Sequence, residues 1–255
     1  MIKVLEYIWN TNIGFSKVKY LVFGALFQVF KRVTKSVVSK IIFNGKQIFM
    51  YPNCNVSSMY AYTDIPDRRE ILLLRGLAND KAGIGRTVFM DIGANVGTYS
   101  ISMMDVCDVV VAFEPHPFTS KRCKMNFLLN NISETYVKQL ALSNTTGRIS
   151  FSDYGGSSTV NHIVSNGGID VEVTTLDEFI KKDSFGVDDS YILKVDVEGF
   201  EQQVFEGGKN FLSNYHIQGI IFECFSQGEV FETLRNYGFA SIEKISENNY
   251  FATKN

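Results

Sequence analysis

The run Val88–Ser100, VFMDIGANVGTYS, constrains this chain most. An apolar stretch ends on the carboxylate Asp91, glycines follow at Gly93 and Gly97, and a helix start succeeds them. Glycines at that spacing let the backbone turn tightly and come close to a ligand at a strand end. Downstream, strands are expected at Thr87–Asp91, Val109–Glu114, Thr135–Leu140, Tyr191–Asp196 and Ile217–Glu223. Helices are expected between them, at Gly97–Val106, Phe118–Asn130, Phe200–Leu212 and Gly228–Tyr237. Strands and helices alternating at this interval pair in parallel through right-handed crossovers, so the expected fold is α/β with a doubly wound sheet. With 45% apolar residues among 255, the chain is long enough to bury a full core around it.

The rhythm breaks at Ser143–Glu178, where strand-like segments flank a turn at Thr146-Gly147 and a Gly/Ser/Asn-rich loop runs from Gly155 to Gly168. An inserted loop of that kind is where a substrate pocket is usually built. The first 50 residues differ again. From Val18 to Val37 apolar residues recur at intervals of three and four, the period of a helix. A hairpin is expected at Ile41–Met50 around Asn44-Gly45, the dipeptide suited to a two-residue turn. Residues 1–50 are therefore read as a helical arm and hairpin, and 51–255 as the main domain, with a helix starting near Asp67.

Charge divides the chain in the same place. The first 46 residues carry eight Lys and Arg against Glu6 alone, a balance of +7, which leaves −9 on the rest of a chain whose total is −2. An acidic body repels phosphates and argues against a nucleic-acid partner. The apolar part of the arm, Tyr20–Phe30, covers about half of the ~20 residues needed to cross a bilayer. It can lie on a membrane as a peripheral contact, pack on its own domain, or meet a second subunit as a homodimer, and the sequence leaves the three open. Cys54, Cys107, Cys123 and Cys224 form no CxxC pair and read as free thiols of a cytoplasmic chain, which shows no signal-peptide layout.

The glycine turn admits more than one ligand. Dinucleotide sites use G-x-G-x-x-G, whose middle glycine makes room for a pyrophosphate, and here that position is Asn95. A carboxylate beside the turn, Asp91, suits a cationic ammonium better than a phosphate. Glu114 ends the next strand 23 positions later, close to the ~20 expected of an acid that binds ribose hydroxyls. The pair favours an amino-acid-bearing sulfonium, S-adenosylmethionine. Asp91 as a helix cap and Glu114 as a cap ahead of Pro115 are the purely structural readings, and an NAD-type oxidoreductase is the competing function.

These residues resemble the FkbM-type S-adenosylmethionine-dependent methyltransferases. The matching runs are VFMDIGANVGTYS, VVAFEPHPFTSKRCKMNFLLNN, LALSNTTGRISF, VTTLDEFI, YILKVDVEGFEQQVFEGG and IIFEC, spread over Thr87 to Cys224, with the D-x-E-G run the most distinctive. The resemblance implies a class I methyltransferase, a Rossmann-like sheet of seven strands with the last antiparallel, and O-methylation of a sugar, glycan or other hydroxyl-bearing metabolite, a polyketide among them. The expected cofactor-binding set is Asp91, Gly93, Ala94, Asn95, Gly97, Glu114, Pro115, His116, Leu140 and Ala141.

Methyl transfer to an alcohol needs alignment of acceptor oxygen, carbon and sulfur, and a base for the hydroxyl proton. Lys194, Asp196 and Glu198 alternate along LKVDVEG and share one face if the strand runs on through them. They form the expected catalytic set, with Asp196 as base or acceptor-orienting group and Lys194 keeping it ionised. A structural ion pair, with Asp196 merely capping the next helix, is the alternative. Glu201 is read as favoured by the helix dipole only. His162 is read as a surface residue and His216 as a turn residue. Asp196 and Glu223 could hold Mg²⁺, but no ligand run supports a metal, and none is expected.

Overall fold

The computed structural model describes residues 2–80, 85–133, 136–151, 168–183, 185–226 and 228–254. From the N-terminus come helices α1 (Ile2–Thr11) and α2 (Phe15–Val33), the antiparallel strands β1 (Val38–Ile41) and β2 (Gln47–Met50), a single turn α3 (Asn55–Ser58) and helix α4 (Arg68–Asn79). The alternating part then runs β3 (Thr87–Ile92), α5 (Thr98–Met103), β4 (Val109–Phe113), α6 (Pro117–Leu129) and β5 (Val137–Lys138). Next come β6 (Ala141–Leu142), β7 (Gly147–Phe151), β8 (Ile169–Thr174), α7 (Leu176–Lys182) and β9 (Ser190–Val195). The chain closes with α8 (Glu201–Gly207), α9 (Lys209–Asn214), β10 (His216–Glu223), α10 (Gly228–Asn236), β11 (Ser241–Lys244) and β12 (Asn249–Thr253).

Seven strands form the main sheet in the order β5-β4-β3-β9-β10-β12-β11. Neighbours from β5 to β10 are parallel, and β12, last in the chain, is inserted antiparallel between β10 and β11. This is the class I methyltransferase sheet. Its two-residue period sorts the core. Val88, Met90 and Ile92 of β3 with Tyr191, Leu193 and Val195 of β9 face α7, α8, α9 and α10. Phe89 and Ile192 face α4, α5 and α6. Apolar side chains on both faces are what a doubly covered parallel sheet requires. A smaller sheet, β6-β8-β7, carries the insertion. The loop Gly155–Gly168, apart from its last residue, lies with His162 outside the described residues.

Several boundaries differ from the periodicity, each for a local reason. Helix α2 stops at Val33 and not Val37, with Lys35 turning left-handed at φ 53°. The hairpin opens earlier, at Val38, and its link spans residues 42–46, where Asn44 and Gly45 take positive φ within a 3-10 turn closed by Lys46 N–H to the Phe43 carbonyl. Of the strand expected to start at Thr135, which is itself outside the described residues, only Val137–Lys138 joins the main sheet. Leu140 lies beyond it, and Ala141–Leu142 pair with β8 instead. The helix expected over Phe200–Leu212 breaks at Gly208, where a side chain would press on Leu176.

The arm packs on the segment that follows it. Ile8, Tyr20 and Phe27 share one cluster with Ile48, Met50, Tyr60 and Tyr62. Gly24 is needed there, because a Cβ would sit 3.0 Å from both Ile8 and the Tyr62 ring. Gln28, which interrupts the apolar run, donates to the Tyr62 hydroxyl. Lys40 Nζ donates to the carbonyls of Tyr60, Thr63 and Asp64 at 2.7–2.9 Å. Among the described residues no helix is long and apolar enough to cross a membrane.

Candidate active site

The glycine turn is built by close contact with the neighbouring strand. Gly93 has φ +79°, and a Cβ there would fall 1.8 Å from the Asp196 carbonyl oxygen. Only glycine lets the β3 turn approach the end of β9 that closely. Gly97 has φ +84°, with Cys123 Sγ 2.8 Å from where a Cβ would stand. Asn95 is also left-handed, at φ 54°, a conformation its short polar side chain tolerates by accepting from Val96 N–H at 2.9 Å.

Register brings the charged residues together. Asp91 on β3 pairs with Lys194 on β9, so both side chains leave the sheet on the same face. Asp91 is fully buried, and its Oδ2 accepts from the backbone N–H and hydroxyl of Ser100 at 3.0 and 2.6 Å. Lys194 Nζ lies 3.7 Å from Asp91 Oδ1 and 3.2 Å from Asp196 Oδ2, and donates to the Gly93 carbonyl at 2.9 Å. Burial works against the Lys194 ammonium, but Asp196 and Asp91 outweigh it and hold its pKa above the ordinary lysine value. Burial raises the Asp91 carboxyl, against the pull of Lys194 and Ser100. Asp196 follows β9 directly, and its side chain is 40% exposed and open to a ligand.

The strand does not run on through Glu198. It ends at Val195, Glu198 turns left-handed at φ 55° and Gly199 at 97°. Glu198 therefore reaches the site from the exposed turn rather than from the strand face. Glu201, read from the sequence as a dipole residue, is buried and clasps that turn, its Oε1 accepting from Val197 N–H at 3.0 Å and Gly199 N–H at 3.2 Å. Replacing it with Ala leaves two donors unsatisfied, and chemical denaturation should show a loss of about 1–3 kcal/mol. An unchanged midpoint would remove the clamp from the account. Glu223, at the end of β10, is half-buried, and its pKa is pushed up to about 7 by burial and then by the Asp196, Glu198 and Glu201 carboxylates. Among the described residues no three His, Cys, Asp or Glu converge as a metal would need.

Glu114 stands just beyond β4. Its Oε2 accepts from Asn95 N–H at 2.9 Å and its Oε1 from His116 N–H at 3.0 Å, so this carboxylate fixes both the glycine turn and the start of α6. Burial pushes its pKa up to about 8, although both amides and Lys194 favour the ionised form.

These groups surround one cleft of about 950 Å³, counted with its open mouth. Gly93, Ala94, Asn95, Glu114, Pro115, Leu140 and Ala141 of the expected cofactor set line it, as do Lys194, Asp196 and Glu198. Asp91, Gly97 and His116 stand behind the wall; the His116 ring faces Phe151 at 6.4 Å between centroids. Val56, Asp67, Tyr99, Phe151 and Phe200 also line the cleft and were missed by the sequence reading. Asp67 had no signal, because it comes from a loop end; Tyr99 lies within the opening run but on a short helix rather than at a strand end. Four carboxylates, Asp67, Glu114, Asp196 and Glu198, face the single ammonium of Lys194 among the lining side chains.

In comparisons with known proteins, the family described as "Methyltransferase FkbM domain" matches residues 91–241, more than half of the chain. The chain belongs to the FkbM methyltransferase family. Its cofactor is S-adenosylmethionine. A Haloferax volcanii protein described as hexuronic acid methyltransferase AglP is 32% identical over 132 residues, 50% of this chain and 52% of that one. The chain thus spans about half the length of the curated relative it matches. Among solved structures, an O-methyltransferase from Bacillus cereus in complex with SAH aligns at TM-score 0.46 and 12% identity, covering 92% of this chain and 100% of that one. A precorrin-6y C5,15-methyltransferase from Geobacter metallireducens aligns at TM-score 0.42 and 12% identity, covering 75% and 90%.

The cleft of this FkbM domain fits that cofactor. Its excess of carboxylates suits a molecule with two cationic centres, a sulfonium and an ammonium, and would repel the diphosphate of a nicotinamide nucleotide, so the oxidoreductase alternative is not favoured. A ribose hydroxyl donates best to an ionised carboxylate, the part that Glu114 would play. With its pKa near 8, S-adenosylmethionine affinity should rise with pH, by up to about tenfold per unit below 8, and level off above. Calorimetric titration between pH 6 and 9 checks this, and Glu114→Gln should flatten the slope. A flat profile in the unaltered protein would show that Glu114 does not titrate in binding.

Proposed function

We propose that this chain transfers the methyl group of S-adenosylmethionine to a hydroxyl oxygen of a saccharide. The observation that supports it best is the Asp196 carboxylate on the wall of the same cleft as Gly93, Asn95 and Glu114, at the carboxyl ends of adjacent strands. Bound there, the cofactor supplies an electrophilic methyl carbon on a sulfonium. Glu114 holds the ribose hydroxyls. Ala94, Pro115, Leu140 and Ala141 give the adenine an apolar slot, with His116 packed behind it, and Gly93 and Asn95 shape the turn beneath. Gly97 fixes the close approach of α5 and α6, and Asp91 holds Lys194 from below.

Asp196 takes the hydroxyl proton as the acceptor oxygen attacks. Lys194, 3.2 Å away, keeps that carboxylate aimed, and Glu198 on the rim orients neighbouring hydroxyls of the acceptor. The saccharide class is supported by the relative described as a hexuronic acid methyltransferase. Such a sugar offers both hydroxyl and carboxylate oxygens, and a cleft lined by Asp196, Glu198 and Asp67 repels the carboxylate. We place the chain in the cytoplasm, where its four free cysteines stay reduced, and give it no nucleic-acid substrate.

Incubation with methyl-labelled S-adenosylmethionine and a panel of neutral and uronic saccharides tests the reading. The expected product carries its label through mild alkali, as a methyl ether does. Alkali-labile label would move the acceptor to a carboxylate. Binding of the cofactor with no transfer to any saccharide would remove this acceptor class.

A further inference from the structure

Helix α2 is apolar on two opposite faces. One carries Tyr20, Gly24 and Phe27, buried against the hairpin and the Tyr60–Tyr62 segment. The other carries Phe15, Val18, Val22, Leu26, Val29 and Val33, spaced by three and four residues, so they stack along one side of the helix. All six are exposed, Phe15 at 91%, Leu26 at 64% and Val33 at 77%. Helix α1 carries the exposed Leu5 and Trp9, and Lys17 Nζ stands 4.5 Å from the Trp9 ring centroid, which places the start of α2 beside α1. Twelve of the twenty large apolar side chains exposed among the described residues fall between Leu5 and Val37. The α2 stripe is contiguous, and an exposed apolar patch of that kind marks an interaction surface.

The charges around it select the partner. The exposed Lys19 and Arg32 flank the stripe and the exposed Lys35 follows it, and Glu6 is the only acid in the first 46 residues. A two-fold contact with a second copy would set the same basic side chains against each other. An anionic surface would complement them. Apolar residues on one side and basic residues at the edges are the pattern of helices lying in a lipid interface. No described helix is apolar enough to pass through a bilayer.

We propose that α1 and α2 lay this bare face onto an anionic lipid bilayer. The arm is joined to the cleft by the segment that begins with the hairpin, since Val56 and Asp67 line the cleft while Tyr60 and Tyr62 hold α2. Docking would therefore hold the methyl-transfer cleft near a membrane, where an acceptor saccharide carried on a lipid is concentrated.

Vesicle flotation of the full chain tests this without reading methyl transfer, so its outcome is separate from the acceptor assignment. The chain is expected to float with vesicles of phosphatidylcholine mixed with phosphatidylglycerol at low salt and far less as salt rises, and not with phosphatidylcholine alone. The double substitution Val22→Asp with Leu26→Asp should lower the bound fraction at least about tenfold while circular dichroism and cofactor affinity stay unchanged. Lys19→Glu with Arg32→Glu, which leaves the apolar stripe intact, should also lose anionic-vesicle binding. Absence of flotation at low salt, or flotation by either variant equal to that of the unaltered chain, would overturn the proposal. So would sedimentation showing a dimer that the aspartate pair splits, which would assign the face to a second copy.

Discussion

Asp196→Asn is expected to lower methyl transfer at least about 100-fold while S-adenosylmethionine still binds. Asparagine matches the carboxylate in shape and can still accept a hydrogen bond from Lys194, 3.2 Å away, so the β9 turn keeps its geometry. What it cannot do is take a proton. A hydroxyl is a poor nucleophile at neutral pH, and without a base its proton must leave to water. Turnover, KM for the saccharide and calorimetric cofactor affinity together separate this from general damage: only turnover should collapse. Full turnover in the variant would displace Asp196 from its role. Glu223 would then be the next candidate, since burial and three neighbouring carboxylates place its pKa at about 7, near the working pH. Glu223→Gln would then carry the loss.

Gly93→Ala should cost about 2–5 kcal/mol of folding stability and weaken the cofactor at least about tenfold. An alanine at φ +79° is strained by its own Cβ, and here that atom would also fall 1.8 Å from the Asp196 carbonyl oxygen. Two backbone segments must separate to admit it. That separation disturbs the Gly93 carbonyl, to which Lys194 donates, and the adjoining Asn95 amide held by Glu114. Gly76→Ala is the matched control, because no atom lies within 4 Å of its Cβ position in the middle of α4. It should be neutral or gain about 0.5–1 kcal/mol. Chemical denaturation with calorimetry of the cofactor checks both. A Gly93→Ala protein with unaltered midpoint and affinity would show that the contact yields freely.

The parts of the site visible in the sequence are those set by short-range pattern. Asp91, Gly93, Gly97 and Glu114 stand out because a strand that ends on an acid beside a glycine turn is a local event, and the alternation that places β3, β4, β9 and β10 is equally local. Tertiary packing decides what the pattern left out. Glu201 looked like one acid in a helix start, and its grip on the Val197 and Gly199 amides depends on a turn whose left-handed Glu198 no periodicity marks. Leu140 looked like the end of a strand with Ala141 just after it, yet β5 is only two residues long and the chain crosses to the smaller sheet, which brings both to the cleft wall. Val56 and Asp67 come from a segment without strand or helix rhythm. The second apolar face of α2 was counted in the periodic stripe, but only the packing of Tyr20 and Phe27 separates the covered side from the bare one.

The contacts between Gly93 and the end of β9 have a practical consequence for anyone recombining such chains. Lys194 reaches the Gly93 carbonyl across 101 positions of sequence, and Asp196 N–H reaches the Ile92 carbonyl at 3.0 Å. A chimera whose crossover falls anywhere between those turns would mate the Gly93 turn of one parent with the Asp196 turn of another across a gap too tight for a methyl group. Libraries aimed at new acceptors should therefore inherit both turns from one parent and exchange the wall pieces around Val56–Asp67 and Leu140–Phe151, which touch the cleft without sharing that seam.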